Sequence, residues 1–248
     1  MTTIHENKGI FIYMQVIIKR TTAEIADLVS EKFVSLLEKK PKAVLGLATG
    51  STPIATYEAL INKIKAKNLP LEDVKTFNLD EYVGLEKEKY SYRTFMEENL
   101  FSPLGISSSQ VHFPSEKTLS AYDEQIAAYG GIDLQILGIG SDGHIAFNEP
   151  GTPFESKTHV VKLEESTRDD NARFFDTPEE VPTHAVTMGL ATILQAKEIV
   201  LIATGTNKQE AVRQMLSGVN SLNCPASILN QHPHVTVYLD EEAAGKLY

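Results

Sequence analysis

The sequence predicts a single α/β domain, with a mostly parallel, doubly wound sheet of about seven strands, helices on both faces and one lid segment. Three observations predict it. Short apolar runs that read as buried strands alternate with longer stretches carrying apolar residues at helical spacing, the order expected of a parallel sheet with crossover helices. The strand ends run into turns rich in glycine, serine and threonine, where open α/β sheets gather their ligands. No linker, low-complexity tract or long repeat divides the 248 residues, a length that one such domain often fills.

Residues 14–18 read as the first strand, and residues 1–13 as a tail or an artefact of start-site choice, leaving 14–248 for the domain. Thr22 is the expected N-cap of an amphipathic helix carrying Ile25, Leu28, Val29, Phe33, Leu36 and Leu37, which ends before Pro41. Residues 43–48 (AVLGLA) form a second strand, followed by Thr49, Gly50, Ser51 and Thr52. Pro53 suits the first turn of the next helix and Thr52 its cap. Residues 75–79 (KTFNL) are a third strand, running into Asp80 and Glu81, an adjacent acid pair that also fits an ordinary solvated turn. Helices are expected over 90–101 and 120–129, the second stopped by Gly130 and Gly131.

The central stretch is residues 134–151, LQILGIGSDGHIAFNEPG. Apolar Ile132, Leu134, Ile136, Leu137 and Ile139 read as a buried strand that stops at Gly138 and Gly140. Asp142, His144 and Glu149 follow, three proton-handling side chains within eight residues. Gly138-x-Gly140-x-x-Gly143 matches the dinucleotide pattern literally, but that pattern needs a helix opening at the loop, and Asn148-Glu149-Pro150-Gly151 breaks the chain first. Nicotinamide and flavin are therefore not expected.

Beyond it, residues 158–163 form a strand or hairpin arm. The charged run 164–175, with Arg168, Asp169, Asp170 and Arg173, fits either a solvated helix face or a lid, bounded at 158–182. Residues 183–189, 198–203 and 235–239 complete the strands, and a helix covers 209–216. The turn after 198–203 reads Thr204-Gly205-Thr206-Asn207-Lys208, a near-echo of the turn at Thr49. Each turn alone is explained equally well by helix capping; Lys208 tips the pair towards phosphate, because a capping turn has no need of a cation.

Composition bounds the function. Hydrophobic residues at 42% and charged residues at 23% are ordinary for a soluble domain, and a net charge of −10 argues against a nucleic-acid surface. No apolar run approaches the roughly 18–20 residues of a membrane span, and no secretory leader precedes the domain. With one cysteine, Cys224, read as a small apolar residue beside Pro225, the expected location is the cytoplasm. No HExxH or Cys/His cluster is present, so neither metal nor organic cofactor is assigned; nor is there a GxSxG elbow. His5, His112, His159, His184, His232 and His234 read as structural. What remains is an acid/base enzyme for a phosphorylated small molecule, with Asp142 and His144 placed to share a face and Glu149 to orient the imidazole.

At these residues the sequence resembles the glucosamine-6-phosphate deaminases. LATGSTP (47–53), TFNLDEYVGL (76–85), GIGSDGHIAFNEPG (138–151), TRDDNARFF (167–175) and ATGTNK (203–208) carry the resemblance, in family order and over nearly the whole chain from Met14. The related 6-phosphogluconolactonases continue the Asp-Gly-His string differently, without Phe-Asn-Glu-Pro. The resemblance implies conversion of glucosamine 6-phosphate and water to fructose 6-phosphate and ammonia. It makes Asp80 the base at carbon 2, and His144, supported by Asp142 and Glu149, the group that opens the pyranose ring. Thr49 to Thr52, Arg173 and Lys208 become the phosphate pocket, and 158–182 the lid. Allosteric hexameric members carry a longer C-terminus; ending at Tyr248 implies weak or absent activation and admits a monomer. Two rivals stand behind this expectation: a lactonase, which does not require the base at Asp80, and a non-catalytic sugar-phosphate sensor, for which no helix-turn-helix segment or basic arm is evident.

Overall fold

A computed structural model describes residues 14–247, and the expected tail 1–13 lies outside them. The chain opens with β1 (Met14–Lys19) and α1 (Thr22–Lys39). The cap of α1 is Thr21, one residue before the expected Thr22: its hydroxyl accepts the Glu24 N–H at 3.2 Å while the Glu24 carboxylate accepts the Thr21 N–H at 3.0 Å. That reciprocal pair satisfies donors the helix cannot use itself, so the Thr-x-x-Glu spacing decides the boundary. Next come β2 (Val44–Leu47) and α2 (Ile54–Lys67), whose cap position is Pro53 with no side-chain cap, so Thr52 does not play the capping part expected of it.

β3 (Lys75–Asn78) leads through Leu79 into β4 (Asp80–Val83). The expected helix over 90–101 is α3 (Tyr92–Met96), a π-helical turn (Glu97–Phe101) and α4 (Ser102–Leu104) in succession. β5 (Val111–His112), α5 (Leu119–Ala128) and β6 (Leu134–Leu137) follow. The second half holds β7 (His159–Lys162), α6 (Glu165–Asn171), β8 (His184–Thr187), α7 (Leu190–Ile193), β9 (Glu198–Ala203), α8 (Gln209–Met215) and β10 (Val235–Asp240).

Seven strands form one sheet in the order β1-β10-β9-β6-β2-β3-β5, every pairing parallel. All residues of β2 and β6 are buried whichever way they point, so helices cover both faces. Each fully buried aliphatic side chain of this core contributes about 1.5–3 kcal/mol. The membership of the sheet differs from the expectation. Its seventh strand is β5, two residues too short to show a period, while β7 and β8 pair antiparallel with β4 in a separate three-stranded sheet. The alternating burial of β7 is the mark of a half-exposed antiparallel strand, unlike the continuous apolar runs of the main sheet. Tyr82, Phe147, Leu163 and Ala185 give the small sheet its own core.

The connections run outward from β2 through β3 to β5, then return beside β2 to β6 and run outward the other way. The switch point therefore lies between the carboxyl ends of β2 and β6, where an open α/β sheet leaves a crevice. No helix among the described residues is long and apolar enough to cross a membrane.

Candidate active site

The turn after β2 and the loop after β6 form the floor of a cavity of about 310 Å³, and the small sheet closes one side of it. Thr49, Gly50, Ser51, Thr52, Asp80, His144, Arg173 and Lys208 line it. Asp142 and Glu149 stand behind His144.

Asp80 opens β4 opposite Thr187 of β8 and is 6% exposed, so the solvated-turn alternative for the acid pair is overturned. Burial, reinforced by Glu81 and opposed by His144, pushes its carboxyl up to about 8. Its neighbour has another task. The Glu81 carboxylate accepts the N–H groups of Tyr92 at 2.9 Å and Arg93 at 3.0 Å, at the start of α3, where free donors and the helix dipole favour an anion.

Asp142 Oδ1 lies 2.8 Å from His144 Nδ1 and accepts the His144 backbone N–H at 3.1 Å. Glu149 Oε2 lies 3.6 Å from the same Nδ1, and Glu149 Oε1 accepts the Thr167 hydroxyl at 2.6 Å. Two glycines make this folding-back possible. A Cβ on Gly140 would sit 2.4 Å from His144 Nδ1 and 2.7 Å from Asp142 Oδ1. Gly143 has φ +89°, open to glycine, and a Cβ there would come within 2.6 Å of the buried Cys224 sulfur. Burial alone would lower the proton affinity of His144, but Asp142 and then Glu149 outweigh it and leave the imidazole's pKa raised. Asp142, partly desolvated but facing that imidazole, is held at about 2. Glu149 is raised by burial, with Thr167 and His144 opposing. An imidazole whose proton affinity is raised by an ionised carboxylate beside it is a competent acid/base unit. These three side chains also present ligating atoms within 4.8 Å of one another, the place among the described residues where a metal would fit, with His144 Nδ1 2.8 Å from Asp142 Oδ1.

On the other side, Arg173 Nη2 donates to Ser51 Oγ at 3.5 Å and its guanidinium lies over the Phe174 ring at 4.8 Å. Lys208 is partly buried; desolvation lowers its pKa, with Asp170 and Asp142 opposing and Arg173 adding. The two turns that look alike in sequence are not equivalent. The Gly205 N–H is spent on the Asp240 carboxylate at 3.0 and 3.1 Å, so the second turn offers the cavity Lys208 alone, whereas the first offers Thr49 to Thr52.

Sequence reasoning missed the aromatic wall, in which Tyr82, Tyr92, Phe147 and Phe175 pack together with the Tyr92 hydroxyl 3.3 Å from that of Tyr82. It also missed Thr167, Asp170 and Asn171, which line the cavity from α6. All three lie in the TRDDNARFF string, from which the resemblance assigns only Arg173 to the site. Residues 165–180 form the roof, fastened outside by Lys89–Asp176 at 2.7 Å, the Tyr90 hydroxyl on Glu180 at 2.8 Å and the Lys87–Glu180 pair.

The family model described as "Glucosamine-6-phosphate isomerases/6-phosphogluconolactonase" matches residues 18–238. A glucosamine-6-phosphate deaminase of Shouchella clausii is 50% identical over 239 residues, covering 94% of this chain and 97% of that one. The chain belongs to the glucosamine-6-phosphate deaminase family. A deaminase of Lysinibacillus sphaericus is 49% identical, covering 88% of this chain and 94% of its own. The solved structure of a monomeric glucosamine-6-phosphate deaminase superposes with a TM-score of 0.90 at 42% identity, covering 93% of this chain and 99% of that one. The 6-phosphogluconolactonase of Leishmania guyanensis shares the fold alone, with a TM-score of 0.74 at 22% identity over 94% of this chain and 98% of that one. Deaminase and lactonase thus part within a common architecture.

Proposed function

We propose that this chain converts glucosamine 6-phosphate and water to fructose 6-phosphate and ammonia. One observation carries the reading: a buried carboxyl, Asp80, and the imidazole of His144 line the same cavity as the cations Lys208 and Arg173. The phosphate is held by Lys208, Arg173 and the Thr49–Thr52 turn, whose backbone donors suit an anion. His144, its proton retained through Asp142 and Glu149, moves a proton between the ring oxygen and the carbon 1 hydroxyl as the pyranose opens. Asp80 then takes the proton from carbon 2, leaving an enolamine, and returns a proton to carbon 1; water hydrolyses the resulting imine and ammonia leaves.

A base must be ionised to act, and burial pushes the Asp80 carboxyl up to about 8. The substrate supplies the remedy, because its carbon 2 ammonium is an opposite charge brought close to a desolvated carboxyl, which lowers the pKa on binding. The same burial makes the carboxylate a stronger base once ionised. Segment 158–182 serves as the lid, its α6 part excluding water from the enolamine. The monomeric state described for the relative of TM-score 0.90 extends to this chain, and a cytoplasmic location goes with the reading.

Purified protein given glucosamine 6-phosphate should release ammonia and fructose 6-phosphate in equal amounts. Folded protein that releases no ammonia at saturating substrate overturns the reading, and hydrolysis of 6-phosphogluconolactone in its place would establish the lactonase.

A further inference from the structure

Glu149 has two unlike neighbours. Its Oε1 accepts the Thr167 hydroxyl at 2.6 Å, while Oε2, without a hydrogen-bond partner among the described residues, faces His144 Nδ1 at 3.6 Å. Both residues are almost fully enclosed, Thr167 at 5% and Glu149 at 5% exposure. Glu149 belongs to the loop after β6, the floor of the cavity, and Thr167 belongs to α6, part of its roof. One buried hydroxyl therefore joins roof to floor directly behind the imidazole.

We propose that Thr167 is a positioning residue that makes the pairing of Glu149 with His144 depend on closure of α6 over the cavity. This rests on the reading of 158–182 as a lid. With α6 in place the donated hydroxyl stabilises the ionised carboxylate and fixes the rotamer that aims Oε2 at His144. The other charged groups facing Glu149 are His144, which favours its ionised form, and Asp142 and Glu164, which favour protonation. Around His144, Asp142 and Glu149 favour its proton and Lys208 opposes it, and Asp80 faces it across the cavity, its own ionisation favoured by the imidazolium. When α6 withdraws, Glu149 loses the Thr167 donor that aims Oε2 at the imidazole and water enters behind His144, so the carboxylate is hydrated and no longer held against Nδ1. Proton transfer at His144 is then assembled only around an enclosed substrate.

The experiment compares Thr167→Val, which removes the hydroxyl at nearly constant volume, with Thr167→Ser, which keeps it. The valine variant should shift the acid limb of the kcat profile up by about one unit and so cut kcat by up to about tenfold on the acid side of that limb, with KM changed less than about threefold. The serine variant should restore profile and rate. If valine prevents folding, Thr167→Ala removes the same donor and carries the same outcomes. An unmoved acid limb, with only KM or melting temperature altered, overturns the proposal and leaves Thr167 a space-filling residue. Should the wild type release no ammonia, it is the deaminase reading that fails. A carbon-13 NMR titration of Glu149 then decides this point alone: a higher pKa in the valine variant supports it, an unchanged one overturns it.

Discussion

Replacing Asp80 with asparagine should raise stability while cutting turnover by orders of magnitude. The carboxyl titrates at about 8 in the folded chain against an ordinary 3.8, chiefly through burial. A carboxyl raised in this way binds more protons folded than unfolded, so its contribution becomes less favourable as pH rises from about 4 to about 8 and levels off beyond. At pH 7 the difference of about three units corresponds to about 4 kcal/mol, at about 1.4 kcal/mol per unit, an upper bound because water entering the cavity screens the charge. Asparagine has nearly the same shape and no charge to bury. Asp80→Asn should therefore gain about 1–4 kcal/mol at pH 7, or about 2–4 °C in melting temperature for each kcal/mol, with the gain widening from pH 5 to pH 8. Turnover should fall by about 10²–10⁴, the usual share of a general base, while sugar phosphate still protects the variant against unfolding. Thermal unfolding at pH 5 and pH 8, beside ammonia release, tests both halves. A variant no more stable than wild type at pH 8 would refute the strained carboxyl, and undiminished turnover would remove Asp80 as the base.

Lys208→Ala should raise KM about 10- to 100-fold with a smaller change in kcat, since losing a charge-assisted hydrogen bond costs about 1.5–3 kcal/mol; an unchanged KM contradicts the phosphate assignment. Gly143→Ala should destabilise by about 1–3 kcal/mol, from the positive φ and the overlap with Cys224, and adding Cys224→Ala should recover only the overlap part; wild-type melting of the single variant rules this out. His144 should titrate above 6.5 by NMR, and below its wild-type value in Asp142→Asn. Because its folded pKa is raised, the stability it contributes is complete below 6.5 and lost as pH rises through the folded value; melting temperatures that rise across that window would contradict it. Lys89→Ala removes a solvent-exposed pair and should leave the melting temperature close to wild type, with the small difference vanishing at high salt; a large loss would contradict it.

The sequence by itself determined what depends on near neighbours. Continuous apolar runs set the buried parallel strands, and Asp142, His144 and Glu149 are close enough in the chain for one glycine-permitted bend to gather them. Its misses are also local in origin. Thr21 and Thr22 are both cap residue types and only the Thr21-x-x-Glu24 spacing separates them, and β5 is too short to show a period. Tertiary structure decided the rest. The pairing of β4 with β8, from Asp80–Thr187 to Val83–His184, is invisible to local spacing, and it turns an apparent surface acid into a buried one. The likeness of the two Ala-Thr-Gly turns gave no sign that Asp240 would claim the Gly205 N–H in one of them. Thr167, Arg173 and Lys208 reach the cavity from separate elements, and only their arrival sets the charges at its centre. Residue types and spacing specify which groups can exchange protons; solvent exclusion and the distance between charges, both properties of the folded chain, decide at what pH they do so.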